Sequence, residues 1–197
     1  MRTDIKVPFI SRIEIIKKVE SFRQKYWGDK IPLDIEKIIE QKLEIEILPI
    51  PNLLQFCSVN ALITSDWSKI YVDNEKYMDD RYLTRLRFSL AHEIGHFVLH
   101  KELYASFGIK SFENFYKFVE SIDDTEYGFI ETQANSFAGY LLIPDFALLP
   151  EKEKILTGKK LPKGVDAAML NNVLADELCR IFNVSAQACE NALNRPR

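Results

Sequence analysis

The chain has 197 residues, enough for one domain or for one domain with a small appendage. Hydrophobic residues make up 47% of it, with 13 Phe, 8 Tyr and 2 Trp, which excludes a disordered chain; 7 Gly and 8 Pro exclude collagen-like or low-complexity classes. A formal net charge of −3 gives no overall attraction to nucleic acid, no apolar run of about 18 residues is available to span a membrane, and the opening Met1–Lys6 lacks the apolar stretch of a secretory signal, so the expected location is the cytoplasm.

Residues 11–27 place Ile13, Ile16, Val19 and Phe22 at three-residue spacing between charges, which predicts an amphipathic helix capped by Ser11 and ended by Gly28-Asp29. Asp34 caps a second predicted helix that runs to Leu43. The alternation Glu44-Ile-Glu-Ile-Leu48 then predicts a strand, ended by Pro49 and Pro51. Ser58–Thr64 and Lys69–Asp73 predict two more strands, joined as a hairpin through Asp66-Trp67-Ser68. From Asp80 to Lys101, Leu83, Leu86, Leu90, Ile94 and Phe97 recur at three or four residues, the mark of one long helix. A short aromatic helix (Phe112, Phe115, Phe118, Val119) and an acidic stretch, Ser121–Glu126, follow. Another helix is predicted from Tyr127 to Leu142, stopping before Pro144. The Pro-, Lys- and Gly-rich residues 150–164 read as a loop with at most a short helix, and 166–194 as two helices with a turn at Asn183-Val184. The expected class is α+β, mainly helical, with a small three-stranded sheet packed on the long helix. The expected division is a main domain over 1–150, N-terminal helices included, and a helical appendage over 151–197 packed on it. Cys57, Cys179 and Cys189, odd in number and far apart, argue for small buried side chains rather than disulfides or a structural zinc knuckle.

The long helix contains His92-Glu93-Ile94-Gly95-His96, an H-E-x-x-H pattern. Residues four apart share one helical face, so two imidazoles one turn apart can hold a single ion at about 2.0–2.1 Å. Glu93 lies slightly round the helix, within reach of a water on that ion as a general base. All three histidines of the chain fall within nine residues, from His92 to His100. On a straight helix His92 and His100 stand about 12 Å apart, too far to share an ion. His100 is therefore expected to orient a neighbour or to pack. The expected third ligand is Glu131, on a helix whose same face carries Ala134 and Ala138, side chains small enough for two helices to approach closely. Asn135, one turn beyond, can hydrogen-bond a ligating histidine. Rival carboxylates are Glu113, Glu120, Asp123, Asp124 and Glu126. Two histidines, a glutamate and an open position form a catalytic rather than a structural zinc set, with manganese as the alternative metal.

Taken together, Ile31–Ile38, Lys69–Asp73, Arg87–His100 and Glu131–Pro144 resemble the ImmA/IrrE family of metallopeptidases. The resemblance implies a gluzincin-like site with Glu131 as ligand, and a protein substrate: a partner helix-turn-helix repressor in stress or mobile-element responses, or a partner in a toxin–antitoxin-like setting. The resemblance implies a stretch shorter than 101–130, and the matching motifs offer no counterpart for its acidic, aromatic character.

The expected activity is metal-assisted hydrolysis of a peptide bond, with His92, His96 and Glu131 as ligands and Glu93 as base. Tyr71, Tyr127 and Tyr140 are oxyanion candidates, and Ser58–Thr64 is a candidate edge to receive substrate as an added strand. Two other classes stand beside it. One is a non-proteolytic module whose metal site stabilises a repressor or antitoxin complex. The other is a DNA-binding regulator acting through residues 166–194. The second is disfavoured, because the last helix offers Gln187, Glu190 and Asn191, with Arg195 and Arg197 only at the end.

Overall fold

A computed structural model describes residues 5–158 and 167–196. Helices α1 (Arg12–Tyr26) and α2 (Ile35–Lys42) open the chain. Strand β1 (Glu46–Ile50), the short helix α3 (Leu53–Cys57), β2 (Ala61–Ile63), β3 (Lys69–Asp73) and the single turn α4 (Asn74–Tyr77) follow. After a 3-10 turn at Asp80–Tyr82 come α5 (Leu83–Leu99), α6 (Lys101–Phe107), α7 (Phe112–Ser121) and α8 (Asp124–Leu142). Helices α9 (Asp145–Gly158), α10 (Ala167–Phe182) and α11 (Ala186–Leu193) complete the described chain. The class is α+β, mainly helical, as the sequence predicts.

Ser11 caps α1 in a reciprocal box: its side chain accepts from the Glu14 N–H, and the Glu14 carboxylate accepts from the Ser11 N–H. The buried face of α1 is Ile15, Val19, Phe22 and Arg23, whereas Ile13 points to solvent. Asp34 caps α2 through the Lys37 N–H. The sheet order is β1-β3-β2, with β3 parallel to β1 and antiparallel to β2. The β2–β3 hairpin is the predicted one, and Asp66 holds its turn by accepting from Thr64 Oγ1 and from the N–H and hydroxyl of Ser68. Strand β1 runs two residues past its predicted end. It includes Pro49, which an edge strand tolerates because one of its N–H rows faces away from the sheet.

The predicted long helix is divided. Leu99 is the last residue of α5, and His100, at φ −118° and ψ 22°, breaks the helical path before α6 begins. No Gly or Pro marks the break; it coincides with the turning of the His100 ring into the interior. Residues 150–158, expected as loop, belong to α9, which carries Pro150 inside it; the rest of that stretch, 159–164, lies outside the described residues. Asn183, at φ 52°, makes the turn between α10 and α11, and its carbonyl accepts from Arg87 Nε on α5. Arg195, beyond α11, packs over the Tyr140 ring and donates to the Ile143 carbonyl. No helix among the described residues is long and apolar enough to cross a membrane.

The packing that matters most for function is α5 against α8. A Cβ on Gly95 would lie 3.0 Å from the Ala134 Cα and from its carbonyl oxygen. Glycine at 95 and alanine at 134 therefore set the closest approach of the two helices. The close approach brings the start of the middle turn of α8 to the histidines of α5.

Candidate metal centre

Among the described residues, one group of three potential ligands converges: His92, His96 and Glu131, with ligand atoms all within 4.8 Å of one another. The Nε2 atoms of His92 and His96 are 2.9 Å apart. Glu131 places one carboxylate oxygen 3.2 Å from His92 Nε2 and the other 3.7 Å from His96 Nε2. Ligand atoms on a tetrahedral ion at about 2.0–2.1 Å lie roughly 3.3–3.5 Å apart, a value these three distances bracket. The chemistry also fits. The Asn135 side-chain oxygen lies 2.9 Å from His92 Nδ1 and can only accept there, so His92 carries its hydrogen on Nδ1 and turns Nε2 to the common point. The donor set therefore fits a divalent ion. None of Glu113, Glu120, Asp123, Asp124 and Glu126 belongs to the group; Glu126 is engaged elsewhere, accepting from the Val7 N–H and from Lys6.

Glu93 is buried beside the cluster. One of its carboxylate oxygens accepts the Ile63 N–H at 2.8 Å. That N–H belongs to β2, an edge strand, and points away from β3 toward α5. Burial raises the Glu93 carboxyl to about 7, against the opposing pull of His92 and the Ile63 N–H. Burial opposes a charge on His92 as well, but the hydrogen bond to Glu131, the charges of Glu93 and Glu131, and Asn135 outweigh it and lift that imidazole to about 9. His96, almost wholly enclosed, is driven well below the ordinary histidine range by burial and by the two neighbouring imidazoles.

The three tyrosine candidates separate. Tyr71 turns its hydroxyl toward the Lys110 carbonyl, 3.5 Å away, and Tyr140 is taken up by Arg195. Tyr127 alone reaches the cluster. It lies one turn before Glu131, and its phenol is pushed up by burial, then by the charge of Glu131 and a hydrogen bond to it. Sequence reasoning passed over Tyr104. Its ring lies 5.0 Å from that of His96, and burial followed by the charges of Glu93 and Glu131 holds its phenol well above the usual range. Both phenols therefore remain neutral donors. The signal for Tyr104 was present: an aromatic residue one turn beyond His100. The acidic, aromatic stretch around it builds a ladder of rings, Trp67–Tyr104–Phe107–Phe118–Tyr127, with successive centroids 5.3, 5.5, 4.0 and 6.4 Å apart. That ladder meets the centre at Tyr104, against the His96 ring.

A helix presenting two histidines and a glutamate to a carboxylate on a second helix, beside a sheet edge, defines a metallopeptidase-like site. The chain belongs to the peptidase M78 family, described as the IrrE N-terminal-like domain, whose model matches residues 79–194. No curated protein sequence matches the chain. Among solved structures it is similar to a Mycobacterium tuberculosis transcriptional regulator, with a TM-score of 0.57 and 16% identity. The match covers 93% of this chain and 57% of that one, so the chain spans little more than half of that protein. At this identity the likeness is one of fold.

Proposed function

We propose that the chain is a metal-dependent endopeptidase that cuts a protein partner, with zinc as the metal that suits two imidazoles and a carboxylate, and manganese as the alternative. The observation that carries this reading is the convergence of His92, His96 and Glu131 beside a buried carboxylate, Glu93, poised near neutrality. A divalent ion held there would supply a Lewis acid and would lower the pKa of a bound water to about 7. Glu93, raised to about 7, can take a proton near neutral pH and return it to the leaving amine. Tyr127, a neutral phenol beside Glu131, is the candidate to donate to a developing oxyanion. The edge of β2, where Glu93 now accepts the Ile63 N–H, is the candidate to receive an extended substrate segment as an added strand once that N–H is released.

The partner reading rests on the family: a helix-turn-helix repressor or antitoxin, cut in the cytoplasm. The DNA-binding alternative loses one of its few basic groups, because Arg195 is turned onto Tyr140 and the Ile143 carbonyl. The test is co-expression with a helix-turn-helix repressor encoded near the protein, for the native chain and for Glu93→Gln. The native chain is expected to cleave the repressor. Glu93→Gln is expected to retain metal, measured by elemental mass spectrometry, while cleavage falls by about 10²–10⁴-fold. Cleavage that persists in the variant removes Glu93 from the mechanism. Intact repressor bound to metal-loaded native chain would make the protein a binding module instead.

A further inference from the structure

Behind His96 runs a chain of hydrogen bonds that leaves the metal centre altogether. His96 Nδ1 lies 3.0 Å from His100 Nδ1, and His100 Nε2 lies 2.9 Å from the side-chain oxygen of Gln133. The Gln133 amide nitrogen donates to the Pro8 carbonyl at 3.0 Å. His96, His100 and Gln133 are all buried. The Pro8 carbonyl belongs to the extended arm, residues 5–10, that precedes α1. The arm is tied to α8 a second time, through the Val7 N–H on the Glu126 carboxylate at 2.8 Å and Lys6 on the same group at 3.1 Å.

Every donor in this chain has a forced direction. A carbonyl only accepts, so Gln133 must present its NH₂ to Pro8 and its oxygen to His100. His100 must then carry its hydrogen on Nε2 and leave Nδ1 as an acceptor. His96 in turn must carry its hydrogen on Nδ1, which leaves the Nε2 lone pair for the metal. We propose that Gln133 is a positioning residue for the metal centre. Acting through His100, it holds His96 in the tautomer that binds an ion, and it is itself oriented by the docked N-terminal arm. Metal affinity is thereby coupled to the seating of residues 5–10. If the arm leaves, the Gln133 amide is free to turn over. It then offers NH₂ to His100, and each step of the chain reverses until His96 carries its hydrogen on Nε2, where the ion must bind. Asn135 holds His92 from the opposite side by a single bond, with no such relay.

The proposal rests on the metal-centre reading, and two measurements on the full-length protein separate them. The first is ring-nitrogen NMR of the metal-free protein, which reports the tautomers of His96 and His100 directly. The second is zinc affinity by competition with a chromogenic chelator. Gln133→Met removes both hydrogen bonds with little change in volume. It is expected to lose the single His96 tautomer and to bind zinc about 10–100-fold more weakly, the range for removing a group that orients a ligating histidine. Glu126→Ala loosens the arm without touching the relay, and is expected to shift both readouts in the same direction by less. It carries the test if Gln133→Met does not fold. Ile130→Val, a conservative change in the same buried stretch of α8, should move neither. A His96 tautomer unchanged in both Gln133→Met and Glu126→Ala overturns the proposal. A native protein that holds the predicted tautomer but takes up neither zinc nor manganese overturns the metal-centre reading and leaves the relay standing.

Discussion

The two ligating histidines of α5 sit in opposite surroundings. His92 lies at the open end, held by Asn135 on the surface and paired with Glu131; His96 lies at the closed end, under Tyr104 and against His100. Their protonation follows: the carboxylates lift the outer imidazole to about 9, while burial keeps the inner one neutral. The outer end is thus suited to exchange protons and meet substrate, and the inner end to hold geometry.

The largest expected effect of this difference is on the pH dependence of metal binding. Below about 9 the outer imidazole carries a proton that an incoming ion must displace, whereas the inner one carries none to lose. Affinity should therefore rise with pH, by about tenfold per unit for one displaced proton. The rise holds throughout the range below about 9, with levelling above it. Between pH 7 and pH 9 the gain is about a hundredfold. Isothermal titration of zinc in buffers of different ionisation enthalpy measures the proton release. A flat profile over this window would show that the outer imidazole is already neutral.

Removing each histidine sharpens the comparison in the metal-free protein. His96→Ala opens a cavity beneath Tyr104 and leaves the buried His100 Nδ1 without its donor, at a cost of about 2–3 kcal/mol. His92→Ala removes a side chain that is 13% exposed and leaves Asn135, at the surface, and Glu131 free to turn to water, so it should cost less. Both lose the metal. Denaturant unfolding with chelator present tests the contrast, and equal midpoints would contradict it.

The ligands, and His100 as a residue that orients a neighbour, were legible in the sequence; what holds His100 in turn was not. The H-E-x-x-H spacing places two imidazoles and a carboxylate on known faces of one helix. The Ala134–Ala138 face marks α8 as the helix able to come close, which places Glu131. The part played by Gly95 was hidden inside the motif, since its contact is with Ala134, far along the chain. Likewise the break at His100 has no local signal; it depends on Gln133 and on an arm that reaches α8 from the start of the chain. The α9 helix was missed because Pro150 and the lysines around it read as loop, while tertiary packing of Ala147 and Leu148 holds the helix in place. Local periodicity reports what a helix presents, and relays between distant segments leave no period to read.

The smallest expected effect belongs to Asn135→Ala. The exposed amide holds His92 by one hydrogen bond, and with it gone water can accept from the same Nδ1–H. Zinc affinity should fall by only about tenfold, the lower end for groups that orient a ligating imidazole. The relay has a poorer substitute, because His100 and Gln133 are both buried and water would have to enter to accept in place of the amide. If Asn135→Ala weakened binding as much as Gln133→Met, enclosure would not be what distinguishes the two ends, and the difference between them would lie in the ligands alone.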